Sequence, residues 1–116
     1  MNRKRILIIE DEFLVALDIE DALIAAGYEV SSIADTVEAA LLAISSGGID
    51  AALLDGNLNG RSVGEIAASL SDQSIPFLFV SGYGRETLPA GFDRVPLVAK
   101  PFDPCGLANE LNRLLR

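Results

Sequence analysis

Four short stretches rich in apolar residues occur along the chain, and each stops at polar or turn-forming residues; residues 28–33, which also contain Glu29, Ser31 and Ser32, are interpreted as a further strand. Stretches of this kind are typical of strands buried on both faces of a parallel sheet. One of the four, Ala51 to Leu54, reaches Asp55 and then enters a turn over Gly56–Gly60. The predicted strands cover residues 6–9, 28–33, 51–54, 76–80 and 97–99.

The segments between these strands carry apolar residues at the three- and four-residue spacing of amphipathic helices. Gly27 is expected to end the first helix, and Asp35 or Thr36 to cap the second. A capping box from Ser62 to Glu65 is expected to open the third. The predicted apolar faces are Val15, Ile19, Ala22, Leu23 and Ala26; Val37, Ala40, Leu41 and Ile44; Val63, Ile66, Ala67 and Leu70; and Leu107, Leu111, Leu114 and Leu115.

Residues 85–93 depart from this pattern. They contain Pro89 and Gly91 and almost no apolar stripe, so a helix there should be short or frayed. The last helix is well marked, because Asp103 can cap it and Pro104 suits its first position. Alternation of five strands with four firm helices and one weak one predicts an α/β fold with a doubly wound parallel sheet. The length favours the five-stranded flavodoxin-like order 2-1-3-4-5.

Composition narrows the class of protein. The chain has 116 residues, half of them hydrophobic, and is expected to form one domain with a buried core. A formal net charge of −8 argues against non-specific nucleic-acid binding. The absence of histidine excludes His-based catalysis and His metal sites. The single cysteine, Cys105, permits no internal disulfide, favours a reducing compartment and is expected to be a small core or helix residue.

The N-terminal segment has the order of a signal peptide, with Arg3–Arg5 before the apolar run Ile6–Ile9. This run is too short for a signal peptide and ends in the acidic Glu10–Glu12. No apolar stretch approaches the ~20 residues that a membrane span requires. We therefore expect a cytoplasmic protein without a membrane contact.

Polar residues stand where four of the predicted strands end: Glu10 and Asp11 after the first, Asp55 after the third, Ser81 after the fourth and Lys100 after the fifth. Because parallel strands share one carboxyl edge, these side chains should lie close together. Crowded carboxylates repel and raise one another's pKa values, and Mg²⁺ relieves that repulsion. A lysine and a hydroxyl can hold phosphoryl oxygens.

Such a set could support phosphoryl transfer to Asp55. Each position also has a purely structural explanation. Asp55 could only open the turn, and Glu10–Glu12 could be the acidic start of a helix. Ser81 could be a turn residue and Lys100 a surface lysine. Complementary groups at four strand ends of one fold favour the functional interpretation.

Four motifs, Ile8–Glu12, Leu53–Asp55, Val80–Gly82 and Lys100–Phe102, occur in this order at the predicted strand ends. With this arrangement the chain resembles the receiver domain of two-component response regulators over residues 1–116. The resemblance implies a three-layer sandwich and a peptide bond before Pro101 that is often cis.

The resemblance also implies a role for each residue at the strand ends. Asp55 would be the phosphoacceptor, and both Ser81 and Lys100 would contact the phosphoryl group. The residues implied to hold Mg²⁺ are Glu10, Asp11, Asp55 and, through its backbone carbonyl, Asn57.

Two features separate this chain from the usual receiver pattern. The aromatic switch residue that usually stands three positions before the lysine is Leu97 here. Residues 76–84 resemble the Pro-Phe-x-Phe-Ala-Thr-Gly-Tyr signature of the "FAT GUY" group, with Ser81 in place of threonine. That group consists of bacterial, chiefly alphaproteobacterial, single-domain regulators associated with HWE or HisKA2-type histidine kinases.

The resemblance implies a stand-alone phosphorelay switch and not an enzyme. A sensor histidine kinase would phosphorylate Asp55, and the protein would signal to a downstream protein partner or drain phosphate from the kinase. The alternative is an interaction module that never accepts phosphate, which Leu97 motivates. A phosphatase is disfavoured, because Asn57 stands where a second acid would be needed and no cap domain is present.

Overall fold

The predicted alternation of strands and helices is confirmed in a computed structural model of the protein, which describes residues 3–116. Within these residues, five parallel strands form one sheet in the predicted order, β2-β1-β3-β4-β5. The elements are β1 (Arg5–Ile9), α1 (Phe13–Ala25), β2 (Glu29–Ala34), α2 (Val37–Ser46), β3 (Ala51–Asp55), α3 (Gly64–Asp72), β4 (Phe77–Ser81), a short 3-10 helix (Arg85–Thr87), β5 (Leu97–Ala99) and α4 (Pro104–Leu114).

The sheet lies between two helical layers, so its central strands are buried on both faces. Along β3 and β4, Leu54 and Phe79 pack in the core that also contains the apolar faces of α2 and α3. Their neighbours Leu53 and Leu78 pack in the core formed with α1 and α4. Successive side chains of a strand point to opposite faces, which explains why these strands are continuous apolar runs.

Most of the predicted helix ends are confirmed. Thr36 caps α2, its Oγ1 accepting a hydrogen bond of 3.0 Å from the Ala39 N–H. Asp103 caps α4 in the same way, with its Oδ2 3.0 Å from the Gly106 nitrogen. Gly27 follows the end of α1 with a φ of +93°, a conformation that glycine adopts without steric cost.

The capping box predicted from Ser62 to Glu65 is wrong. Helix α3 begins at Gly64 and its N-cap residue is Val63, so no side chain in the described part of the chain caps it. The Ser62 Oγ instead accepts a hydrogen bond from the Gly64 N–H at 3.2 Å. The fully buried Val63 fixes where the chain enters the helix, which leaves Ser62 one position too early to cap it.

Three further predictions, on Ala26, Cys105 and residues 85–93, can be compared with the burial and the local structure of these residues. Ala26 is exposed and does not belong to the buried face of α1, and Cys105 is an exposed helix residue outside the core. Between β4 and β5 the helical structure is limited to the 3-10 turn, as the sequence predicted for residues 85–93. No helix among residues 3–116 is long and apolar enough to cross a membrane.

Candidate functional site

The carboxyl ends of β1, β3, β4 and β5 form one rim, because all the strands of the sheet run in the same direction. The sequence-predicted residues stand at or just beyond these ends, and the strand pairing fixes their relative heights. The residues in register near the rim are Ile9 with Leu54, Asp55 with Val80, and Ser81 with Ala99.

Glu10, Asp11 and Asp55 form an acidic cluster at this rim. Each contributes a carboxylate oxygen, and these oxygens lie within 4.8 Å of one another. Glu10 is only 2% exposed and Asp55 only 8%, whereas Asp11 is half-buried. Oxygen ligands in such a group suit a hard divalent cation.

The carboxyl groups of this cluster do not behave alike. Burial, followed by the neighbouring Glu10 carboxylate, raises the pKa of Asp55 to about 8, against the opposing effect of Lys100. Burial also acts to raise the pKa of Asp11, but the Asn59 backbone N–H and the hydrogen bonds to its neighbours outweigh burial and lower it. The expectation that every carboxylate raises its neighbours' pKa therefore holds for Asp55 and is wrong for Asp11.

Lys100 reaches into the acidic cluster from the end of β5. Its Nζ lies 3.4 Å from Asp55 Oδ1, as a hydrogen-bond donor, and 2.6 Å from Glu10 Oε1. Burial acts to lower the pKa of Lys100, but the two carboxylates outweigh burial and raise it. The close approach to Glu10 lacks hydrogen-bond geometry, so the buried Oε1 has no hydrogen-bond partner among the described residues.

Ser81 is buried behind the rim, with 2% of its surface exposed. Its Oγ accepts a hydrogen bond from the Tyr83 N–H at 3.1 Å, which leaves the hydroxyl hydrogen free to donate elsewhere. The Oγ also lies against Gly56, where a Cβ would stand 2.9 Å from it and 2.9 Å from the Leu88 Cδ2. A larger residue at position 56 would require the Ser81 and Leu88 side chains to move away.

A cavity of about 660 Å³ opens in front of the acidic cluster. Glu10 and Ser81 are not part of its wall. Asn57 is exposed there, and its N–H points at Asp55 Oδ1 from 3.5 Å. The residues that line the cavity are Asp11, Glu12, Asp55, Gly56, Asn57, Gly82, Tyr83, Thr87 and Lys100.

Two segments border Asp55: the β3–α3 loop (residues 56–63) and the β4–β5 segment (residues 82–96). The first contains Asn59, which sequence reasoning missed. Its backbone N–H donates to Asp11 Oδ2 at 3.0 Å and its side-chain amide donates to the Asp35 carbonyl at 3.2 Å. The Asn-Gly pair at residues 59 and 60 was the available signal, because this dipeptide favours a tight two-residue turn.

Leu97 occupies the position expected from the sequence, in β5, paired with Phe79. It is partly buried and packs against the core shared with α2 and α3. The peptide bond between Lys100 and Pro101 is cis, as the resemblance implied.

No protein-family model and no curated protein matches the chain, whereas solved structures match it over its whole length. SdrG from Sphingomonas melonis Fr1 is 38% identical, covers 100% of both chains and has a TM-score of 0.88. A second structure, of the BeF3-activated conformation of SdrG from Pseudomonas melonis Fr1, has the same identity and coverage and a TM-score of 0.81.

Structures of PhyR are similar as well. The response regulator PhyR from Brucella abortus is 34% identical with a TM-score of 0.84, and the match covers 98% of this chain and 48% of PhyR. The PhyR response regulator REC domain from Erythrobacter litoralis is 28% identical with a TM-score of 0.86, over 99% of this chain and 92% of that one. With this fold, this rim and these relatives, the chain belongs to the receiver-domain family of response regulators.

Proposed function

We propose that this protein is a phosphorylation-dependent signalling switch in which Asp55 accepts a phosphoryl group from a phosphohistidine of a partner kinase. One observation carries the proposal. Three carboxylates have oxygens within 4.8 Å of one another, and the Lys100 Nζ lies 3.4 Å from the Oδ1 of Asp55, which lines the cavity. A nucleophile, an oxygen-rich cation site and a fixed positive charge are the groups that phosphoryl transfer to a carboxylate requires.

The residues present fit Mg²⁺. The donor set is all oxygen, from three carboxylates whose oxygens lie within 4.8 Å of one another beside a single lysine, which is 2.6 Å from Glu10 Oε1. Glu10, Asp11, Asp55 and the Asn57 backbone carbonyl would hold the ion. When bound, Mg²⁺ supplies positive charge that offsets the negative charge of the transferring phosphoryl group.

The protein's own groups then have defined tasks. A carboxylate oxygen of Asp55 forms a bond to phosphorus while the bond from phosphorus to the donor imidazole nitrogen breaks, and that nitrogen keeps the electron pair. The Lys100 ammonium stabilises negative charge on the phosphoryl oxygens. The Ser81 hydroxyl, whose hydrogen is free, donates to one of those oxygens. The product is an acyl phosphate on the protein, and no separate substrate is turned over.

Output passes through the β4–β5 segment in this proposal. The Leu88 and Ser81 side chains both lie beside Gly56, directly after Asp55, so a change at Asp55 can reach the segment without an aromatic side chain at position 97. The segment then contacts a downstream protein, or the protein drains phosphate from a shared kinase. The signature at residues 76–84 supports a sensor kinase of the HWE or HisKA2 type and a stand-alone role. The SdrG structure described as BeF3-activated supports activation of this kind of chain.

Intact-mass measurement after incubation with a small phosphodonor and Mg²⁺ tests the proposal. Wild type should gain one phosphoryl group, and omission of Mg²⁺ should abolish the gain. Asp55→Asn should gain none, while the control Asp72→Asn, which changes an exposed carboxylate at the end of α3, should behave as wild type. Equal labelling of wild type and Asp55→Asn would overturn the proposal.

Leu97 favours a second candidate function, a receiver-like interaction module that works without phosphate. This function predicts a folded protein that gains no mass from phosphodonor and Mg²⁺ and binds its partner equally before and after the treatment. The complete acidic cluster favours the first candidate.

A further inference from the structure

The β3–α3 loop contains a tight hairpin turn whose central residues are Asn59 and Gly60. Leu58 and Arg61 exchange two backbone hydrogen bonds, of 3.2 and 2.8 Å, across it. Asn59 has a φ of +52° and Gly60 a φ of +80°, the pair of left-handed conformations that defines a type I′ turn. Asparagine and glycine are the residues that adopt these angles at least cost.

This turn directs both donors of Asn59 across the rim. The N–H reaches Asp11 Oδ2 at 3.0 Å, just beyond β1, and the side-chain amide reaches the Asp35 carbonyl at 3.2 Å, just beyond β2. In the sheet, β1 separates β2 from β3. One residue after β3 therefore connects the ends of two other strands.

We propose that Asn59 is a positioning residue for the metal site, an inference that rests on the proposed function. Its N–H holds the Asp11 carboxylate in one orientation, and its side-chain amide, anchored on Asp35, holds the N–H in place. Without the hydrogen bond from Asn59, the half-buried Asp11 side chain would lose rotational freedom on binding the ion, and this loss would weaken binding. Hydrogen-bond partners that orient metal ligands change affinity about 10–100-fold in known sites.

The competing explanation is that Asn59 only satisfies the backbone angles of the turn. Ser74 separates the two explanations, because it is also a non-glycine residue with a left-handed φ, +56°. Ser74 lies between α3 and β4, at the opposite edge of the sheet from the acidic cluster. Substitutions at Ser74 thus report the effect of backbone angles alone.

Magnesium titration of the full chain by calorimetry, with urea unfolding of each variant, tests the inference. Asn59→Gly keeps the turn and the N–H but removes the anchor on Asp35, so we expect about tenfold weaker Mg²⁺ binding. Ser74→Gly should bind Mg²⁺ as wild type does. Asn59→Ala and Ser74→Ala form a second pair: both should lower stability, and only Asn59→Ala should also weaken Mg²⁺ binding.

The outcomes separate the inference from the proposed function. Equal Mg²⁺ affinity of wild type and the Asn59 variants would overturn the positioning role and leave the proposed function standing. Equal weakening by the Ser74 variants would overturn it too, because backbone strain would then account for the loss. Absence of Mg²⁺ binding by wild type would overturn both.

Discussion

The two segments that border Asp55 differ in how firmly they are attached to the rest of the protein. In the β3–α3 loop, Leu58 and Val63 are fully buried, and Asn59 fastens the loop to two other strand ends. In the β4–β5 segment every residue from 82 to 96 keeps at least partial exposure. The buried apolar contacts that give a segment local stability are therefore concentrated on one side of Asp55.

The hydrogen bonds of the β4–β5 segment are mostly internal. The Thr87 Oγ1 donates to the Gly84 carbonyl at 2.9 Å, and the Arg85 Nη1 donates to the Asp93 carbonyl at 3.1 Å. Contact with the rest of the protein comes from partly buried side chains, such as Phe92, which packs edge-on against Phe77 at 6.0 Å between ring centroids. Because the internal hydrogen bonds join residues of the same segment, they are kept when the β4–β5 segment moves as a unit.

This contrast suits the proposed switch. A cation site gains affinity when its ligands are fixed before the ion arrives, and Asp11 is fixed by the β3–α3 loop. A signalling surface needs a segment that changes conformation at small cost in free energy, and the β4–β5 segment meets that need. Asp55 lies between the β3–α3 loop and the β4–β5 segment and borders both.

The largest effect expected from the contrast is a difference between two leucine truncations. Leu58→Ala removes a fully buried side chain and should lower the free energy of unfolding by about 3 kcal/mol. Leu88→Ala removes a partly buried one and should cost about 1 kcal/mol. Urea unfolding followed by circular dichroism measures both, and equal losses would show that the two segments are held equally firmly.

A smaller effect concerns pH. Because the pKa of Asp55 is raised to about 8, this carboxyl keeps its proton at pH 7 in the metal-free protein, whereas Asp11, with a lowered pKa, is ionised. Metal binding must displace the Asp55 proton, so Mg²⁺ affinity should rise about tenfold per pH unit below pH 8 and level off above it.

Calorimetry at pH 6, 7 and 9, in buffers of different ionisation enthalpy, counts the protons released on Mg²⁺ binding. Asp55→Asn is the matched control and should lose this pH dependence. A dissociation constant of wild type that is the same at pH 6 and pH 9 would contradict the prediction.

The smallest effect is expected from the ion pair on the outside of the β3–α3 loop. The Arg61 Nη1 lies 2.6 Å from the Glu38 Oε2, but both side chains are more than half exposed, so water and salt screen the pair. Arg61→Ala should leave the urea midpoint and the Mg²⁺ affinity of wild type unchanged. A clear loss of either would mean that this ion pair, and not Asn59, holds the loop.

The fold and most of the site residues could be predicted because a buried strand can be recognised from its own residues, without knowledge of distant contacts. A buried strand is a continuous apolar run, and the first polar residue after it marks the rim, which is how Asp55, Ser81 and Lys100 were located. Helix caps at Thr36 and Asp103 were predictable for the same reason, since they act within three or four residues.

What the sequence could not supply depends on contacts between distant segments. The hydrogen bond from Asn59 to Asp11 joins residues 48 positions apart, and it is the largest of the interactions that together lower the pKa of Asp11 against the effect of burial. The failed capping box at Ser62 has a related cause, because the burial of Val63 overrides a local preference. Local patterns locate groups, whereas the tertiary packing decides their orientation and protonation.

The close packing at Gly56 has a consequence for protein engineering. The Leu88 Cδ2 and the Ser81 Oγ occupy space that a side chain at this position would need, so the residues allowed here are limited by volume and not by charge. A methyl group added at position 56 would stand 2.9 Å from both atoms, so the Leu88 or Ser81 side chain, or both, would have to shift. Such a substitution would change the environment of Ser81 and Leu88 by steric bulk alone, and this change would be independent of phosphorylation at Asp55.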